Sequence, residues 1–258
     1  MSKPRLDIDK EQGAKDANLQ NEYRLLDDYV INDGEKHSYA IVCPGGGYAK
    51  ISSYIEGTPI AKKLKEQGIS AFVLYYRVKE KALFPAPVED LARAVRYTQE
   101  NASRYNLEQS DYSIWGSSAG GHLAASFGTE NMGYLKFGLP RPKAIILAYP
   151  VISMDKRYSH QGTHNRLLGK DATKEMEDFT SIEKHVTKSF PPTFIWCGEN
   201  DQTVNPENTR MMKNALKQAG VPYNARIYHD ASHGIGPGTG TDAEGWINQA
   251  VEFWRQQM

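Results

Sequence analysis

The sequence predicts an α/β fold in which a mostly parallel central sheet carries helices on both faces. Three observations lead there. Apolar runs of strand length at 38–43, 71–76, 112–115, 144–149, 192–198 and 225–228 alternate with segments of helical spacing. Most of these runs are apolar at nearly every position rather than at alternate ones, as expected of strands covered on both sides. Strand–helix–strand alternation is also how parallel strands are joined. The third observation is that the 112–115 strand passes straight into a helix-like segment, 121–127, through Gly116-Ser117-Ser118-Ala119-Gly120.

In chain order, residues 1–20 are polar without a clear period and are expected to form a loose arm. Residues 23–31 have the character of one or two short edge strands. The 38–43 strand runs into Pro44-Gly45-Gly46-Gly47, a tight loop. Ile60, Ala61 and Leu64 share a face of a helix over 58–67, with Gly68 placed to stop it. Phe84-Pro85-Ala86-Pro87-Val88 feeds a helix marked by Leu91, Ala94, Val95 and Thr98 and ending near Tyr105. The 144–149 strand is stopped by Pro150. Residues 151–190 are polar and irregular, with short helical pieces at best, and an insert of that length is expected to lie over a site. Helices over 207–218, closed by Gly220, and over 243–256 complete the pattern. One domain over 1–258 is expected, without internal repeat or linker.

Composition excludes several classes of function. Lys plus Arg and Asp plus Glu are both 31, so no charge excess draws the chain to nucleic acid or to an anionic membrane. No apolar run approaches the roughly 18 residues of a membrane span, and the first residues lack the core of a signal peptide. The two cysteines, Cys43 and Cys197, both fall in expected buried strands. That pattern suits a reducing, cytoplasmic setting. No His, Cys or Asp cluster has metal-ligand spacing, and no cofactor motif is present. The partner expected is a small-molecule ester substrate, with no nucleic acid or membrane; homo-oligomers stay open.

The chemistry centres on Ser118, the middle residue of Gly-x-Ser-x-Gly in a strand–turn–helix context. Serine on so tight a turn sits in strained backbone, and glycines spare it collisions with the adjoining strand and helix. The helix that follows aims its N-terminal N–H groups at the place where negative charge would develop. The bland reading is an inert Gly/Ser loop, and it loses to the partners found downstream. Serine needs a base, and the base needs an orienting group. In an open α/β sheet these belong after strand ends, where Asp201 and His233 lie. Glu199 and Asp230 compete with Asp201 but sit too close to the strand end and to His233 respectively. Among the other histidines, His229 belongs to the strand itself, His122 is expected to pack behind the turn, and His37, His160, His164 and His185 follow no strand end. Ala119, directly after the nucleophile, supplies one oxyanion-hole N–H, with Gly46 and Gly47 supplying the second donor. Tyr48, next along, is expected to wall the acyl pocket.

Taken together, Pro44-Gly45-Gly46-Gly47-Tyr48, Tyr76-Arg77 with 84–90, Gly116-Ser117-Ser118-Ala119-Gly120-Gly121-His122 and the pair Asp201 and His233 resemble the α/β-hydrolase esterases. Within them the similarity is to the bacterial acetyl esterases related to acetylxylan esterases and, more distantly, to hormone-sensitive lipase. The order Ser, Asp, His is that of α/β-hydrolases. Pro44 stands where the lipase branch usually has His, and the N-terminal arm is too short for a two-helix cap. The resemblance implies an α/β-hydrolase fold and a serine esterase that removes short acyl groups, acetyl foremost, from small alcohols or oligosaccharides. A serine peptidase or amidase, or a catalytically silent binding protein, are the rivals.

Overall fold

The structure is a computed structural model and describes residues 24–257. The loose arm expected over 1–20 lies outside the described residues. Among the described residues seven strands form one sheet: β1 (Arg24–Tyr29), β2 (His37–Cys43), β3 (Ser70–Tyr75), β4 (Leu107–Ser117), β5 (Ala144–Ala148), β6 (Thr193–Gly198) and β7 (Tyr223–Tyr228), in the order β1-β3-β2-β4-β5-β6-β7. Only β1 runs antiparallel, pairing Arg24 with Tyr75 and Leu25 with Leu74, so 23–31 supplies a single edge strand. The remaining pairs are parallel. The order turns around at β2, and β4 and β5 lie at the centre, so loops after β2, β4, β5 and β6 gather at one edge of the sheet.

Among the described residues there are seven α-helices: α1 (Thr58–Glu66), α2 (Ala86–Glu100), α3 (Ser118–Gly128), α4 (Gln161–Leu168), α5 (Lys174–Thr180), α6 (Glu207–Ala219) and α7 (Trp246–Arg255). Alternate strand residues face opposite ways. Tyr39, Ile41, Phe72, Leu74, Ile145, Leu147 and Ile195 pack with α2, α3 and α6. Ala40, Val42, Ala71, Val73, Ile146, Phe194 and Trp196 pack with α1 and α7. Each fully buried aliphatic or aromatic side chain in these layers contributes about 1.5–3 kcal/mol. That is why the strands read as continuous apolar runs.

Three boundaries depart from expectation. Helix α2 ends at Glu100 instead of near Tyr105, where Asn101 caps it outside helical backbone geometry; the turn that follows runs to Asn106, whose left-handed conformation leads the chain into β4. Strand β4 begins at Leu107, with an irregular register between the His37–Leu107 and Tyr39–Tyr112 pairs. The 151–190 stretch is more ordered than its polarity implies. It holds α4 and α5, and it buries Val151, Ile152, Met154, Leu167, Leu168, Ile182 and Phe190. These apolar residues are spread too irregularly along the chain to reveal a period. The resemblance motif at Tyr76-Arg77 and 84–90 is a structural clamp. Arg77 Nε donates to both oxygens of Asp90 (2.9 and 3.0 Å), its Nη2 to the Ala86 carbonyl (2.7 Å), and its backbone N–H to Asp90 Oδ2 (2.8 Å). This ties the end of β3 to the start of α2.

Helix α3 is buried along its whole length. It reaches that position because its first turn is nearly bare of side chains. A Cβ built on Gly120 would lie 2.1 Å from the Cys43 carbonyl oxygen and 2.5 Å from that of Pro44. Gly120→Ala therefore has to push α3 off β2. We expect it to destabilise the protein by about 3 kcal/mol, the upper range for overpacking, measured as a lower urea midpoint. An unaltered midpoint would contradict this packing.

His122 joins α3 to the insert. Its Nε2–H donates to the Thr180 carbonyl (2.9 Å), and the Tyr48 hydroxyl donates to its Nδ1 (3.1 Å). Burial lowers its pKa from the ordinary 6.5 to about 4. The unfolded chain takes up this proton at a higher pH than the folded one. The stabilisation from the neutral ring is therefore complete above 6.5 and is lost as pH falls towards 4. It should amount to on the order of 3 kcal/mol. Urea unfolding followed across that interval should show the slope in the wild type and a flatter curve in His122→Gln. Identical slopes would rule out this assignment.

Candidate active site

The turn between β4 and α3 presents Ser118 at φ +54°, a left-handed conformation that costs a non-glycine residue of order 1–3 kcal/mol. The neighbouring structure enforces it. A Cβ on Gly116 would lie 2.2 Å from the Gly120 carbonyl oxygen, so strand and helix meet too closely for a relaxed turn. Ser118 is 7% exposed, and its hydroxyl donates to His233 Nε2 at 2.8 Å. His233 Nδ1–H donates to Asp201 Oδ2 at 2.7 Å.

Asp201 follows β6 and His233 follows β7, so two strand ends deliver the two groups to the serine. The other Asp201 oxygen, Oδ1, accepts the N–H groups of Thr203 (2.8 Å) and Val204 (2.9 Å). These two bonds fix the carboxylate plane and satisfy an anion whose side chain is fully buried. The His233 ring is 14% exposed, and the Tyr149 ring stands 4.8 Å from it, centroid to centroid. The arrangement can draw a proton from the serine hydroxyl and hold the resulting imidazolium in place.

Glu199 and Asp230 lie outside this chain of bonds. His229 is strongly exposed, and its Nδ1 pairs with Glu199 at 3.1 Å; that bond raises its pKa.

The loop after β2 lies against Ser118. A Cβ on Gly45 would come within 2.8 Å of the Ser118 Cβ. The Gly45 N–H is engaged by Glu56 Oε2 at 2.8 Å, and Gly46 and Gly47 follow it along the loop. Gly46 (φ +125°) and Gly47 (φ +62°) occupy backbone conformations suited to glycine. The Tyr76 hydroxyl donates to the Pro44 carbonyl at 2.6 Å and anchors the loop's entry.

Tyr48 requires a correction. Its side chain has no exposed surface; its hydroxyl reaches His122, and its ring packs edge-on against Tyr76 at 5.8 Å. A ring sealed beneath the loop does not wall a pocket, so Tyr48 supports the glycine loop from below. The residues that do approach the loop come from α4 and its N-cap: His160, Thr163 and Arg166, whose Nη1 donates to the Gly47 carbonyl at 3.4 Å. His160 is the N-cap residue. Its Cε1 would lie 3.6 Å from a Cβ placed on Gly47. The Thr163 backbone N–H donates to its Nδ1 at 3.3 Å, which leaves the proton of the neutral ring on Nε2. Burial, then the charges of His233 and Arg166, lower its pKa. Proximity to a strand end selected histidines from the sequence, and His160 comes to the site by another route, on the insert.

Sequence reasoning also missed Glu56 and Tyr149, both buried beside the triad residues. Glu56 lies on a π-helical turn, Ser53–Gly57, and in the sequence it resembles any surface glutamate. Its burial raises its pKa above the usual carboxylate range, against the opposing effects of Tyr149 and the Gly45 N–H.

The chain is similar to several known proteins. Endo-1,4-beta-xylanase B of Butyrivibrio fibrisolvens is 35% identical over 228 residues, covering 84% of this chain and 35% of that protein. Acetylxylan esterase of Xylanibacter ruminicola is 34% identical over 223 residues, covering 83% of this chain and 44% of that protein. The chain thus spans less than half the length of these two relatives. The acetyl ester-xyloside bifunctional hydrolase from Caldicellulosiruptor lactoaceticus has the same fold. Its TM-score is 0.86 at 29% identity, over 98% of this chain and 96% of that one. The BD-FAE family model matches residues 26–216, a span that runs from the edge strand through Ser118 and Asp201 into α6. The chain therefore belongs to the BD-FAE family, among the α/β-hydrolase esterases.

Proposed function

We propose that this chain is a carboxylic ester hydrolase that removes short acyl groups, acetyl foremost, from small alcohols or oligosaccharides through an acyl-enzyme. The observation that carries the reading is the continuous hydrogen-bonded chain from the Ser118 hydroxyl through His233 to Asp201, at 2.8 and 2.7 Å. Ser118 Oγ attacks the ester carbonyl carbon while its proton passes to His233 Nε2. The carbonyl oxygen takes up the negative charge beside the N–H groups of Ala119, Gly46 and Gly47. Collapse breaks the bond to the alcohol, which leaves with the proton from His233. Water then repeats the cycle on the acyl-serine, releasing the carboxylic acid and restoring the hydroxyl. Asp201 keeps the imidazole in the tautomer whose Nε2 is free to accept. The relatives named for acetyl ester and acetylxylan hydrolysis support the choice of acyl group.

The setting belongs to the same proposal. No described helix is long and apolar enough to cross a membrane. Cys43 and Cys197 are free and buried, on β2 and β6, with two strands between them. This supports a reducing, cytoplasmic location. The partner is a small ester, with neither nucleic acid nor membrane required.

Ser118→Ala should lower kcat for nitrophenyl acetate by ~10⁶, equivalent to about 8 kcal/mol of transition-state stabilisation. Its circular dichroism should stay native. His233→Ala should be nearly as damaging, whereas His229→Ala should keep most activity. Full turnover by the serine variant, or the reverse order for the two histidines, would end the reading.

Acyl length gives an independent check. The N-terminus of α4 closes over the glycine loop, with His160 and Thr163 both near Gly47. In a roomy apolar pocket each added methylene would contribute about 0.8 kcal/mol. A closed pocket would instead exclude long chains. We expect kcat/KM to be highest from acetyl to butyryl and to drop steeply by octanoyl. Octanoyl matching acetyl in a nitrophenyl ester series would replace the short-acyl proposal with a lipase-like one.

A further inference from the structure

Glu56 is a carboxylate that the acyl-transfer scheme does not use, yet it is only 3% exposed and lies between two loops that the scheme needs. On one side its Oε2 accepts the Gly45 N–H at 2.8 Å. Gly45 is the residue whose backbone lies against Ser118, and Gly46 and Gly47 follow it directly. On the other side the Tyr149 hydroxyl hydrogen-bonds the Glu56 carboxylate. The same hydroxyl accepts the Gly236 N–H at 3.0 Å, within the loop that carries His233. The backbones are equally close, because a Cβ on Gly236 would lie 2.3 Å from the Ile55 carbonyl oxygen. Trp246 Nε1–H holds the Gly236 carbonyl from the opposite side at 3.0 Å. The π-helical turn that bears Glu56 is thus wedged between the glycine loop and the histidine loop.

Such a position is costly for a carboxylate. An apolar side chain would fill the space without desolvating a charge. The groups that face it make sense of the charge. Lys50 approaches from the glycine loop, His233 from its own loop, Tyr149 from the end of β5 and Tyr76 from the end of β3. A carboxylate accepts from both Gly45 and Tyr149, and it adds a second negative charge near His233, on a different element from Asp201.

We propose that Glu56 is a positioning residue that holds the glycine loop and the His233 loop in register around Ser118 and favours the imidazolium formed during turnover. The inference rests on the Ser118–His233–Asp201 reading above. It extends the machinery to a residue outside the triad and the oxyanion donors.

The test compares wild type, Glu56→Gln, Glu56→Asp and Tyr149→Phe with nitrophenyl acetate as substrate. Glutamine keeps the shape and an acceptor for Gly45 but removes the charge. Its kcat should fall about 10- to 100-fold, the scale of a small misplacement of reacting groups, with KM little changed. The acid limb of its kcat/KM profile should move to lower pH, because a lost negative neighbour disfavours the imidazolium. Glu56→Asp retains the charge, so its acid limb should stay with that of the wild type even if kcat drops. Tyr149→Phe leaves the charge but cuts the link to Gly236, and its kcat should fall while its circular dichroism at the assay temperature stays native. Should Glu56→Gln fail to fold, Tyr149→Phe decides: a folded variant with lowered kcat supports the proposal, and wild-type kcat overturns it.

Labelling with diethyl nitrophenyl phosphate keeps the two ideas apart. If wild type is phosphorylated at Ser118 while Glu56→Gln keeps wild-type kcat and an unmoved acid limb, Glu56 has no positioning role and the esterase reading stands. If Ser118 takes no label and Ser118→Ala still turns over, the esterase reading itself falls, and the Glu56 inference with it.

Discussion

The rest of the site depends on one contact: the first turn of α3 lies directly on the carbonyl end of β2. No side chain fits between them at Gly120, whose α-carbon faces the Cys43 and Pro44 carbonyls. This contact sets the distance from the Ser118 turn to the glycine loop, since Pro44 opens that loop. It also forces Ser118 into its left-handed conformation, because the chain must reverse from β4 into α3 within one tight turn. Helix α3 carries few side chains at its start and is apolar further along. It can therefore be buried completely and aim its N-terminal dipole at a nearly dry site. The placement of the Ser118 turn and of the glycine loop beside it thus has a single cause.

Two buried carboxylates flank His233, and the structure treats them differently. Asp201 is saturated by two backbone N–H groups of its own loop and by the imidazole from the loop after the adjacent strand β7. Glu56 is held by two donors from separate parts of the chain, the Gly45 N–H of the glycine loop and the Tyr149 hydroxyl at the end of β5, and that hydroxyl in turn accepts the Gly236 N–H of the histidine loop. The first arrangement is local and rigid. The second spans the site, so a disturbance in any one loop reaches the others through hydrogen bonds that water does not replace.

Much of this was legible in the sequence, for physical reasons. The buried parallel strands announced themselves through continuous apolar runs. Ser118, Asp201 and His233 were legible because tight turns after strands have few alternatives, and the structure brings the three within hydrogen-bonding distance. Tyr48 was misread, since an aromatic residue beside a reactive loop can point into the pocket or beneath it, and only the packing of Tyr76 and His122 decides which. Glu56 was invisible, because burial of a charge depends on which distant loops fold over it. His160 was passed over for a similar reason: the insert that brings it to Gly47 has no period from which its path could be drawn. The polar look of 151–190 concealed a second set of core contacts.

The four tryptophans, Trp115, Trp196, Trp246 and Trp254, all sit on the same face of the sheet, the one covered by α1 and α7. Three of them form a contiguous cluster, with Trp246 5.7 Å from Trp115 and 5.4 Å from Trp196. The tryptophan emission of the protein is therefore a one-sided signal. It reports the layer beneath the histidine loop, to which Trp246 is tied through Gly236, and contains no direct contribution from the layer of α2, α3 and the insert. Excitation shared within the cluster makes that light sensitive to small shifts of α7. A chromophore placed on the insert would give the opposite layer its own optical channel, so that the two halves of the molecule could be followed separately as they come apart.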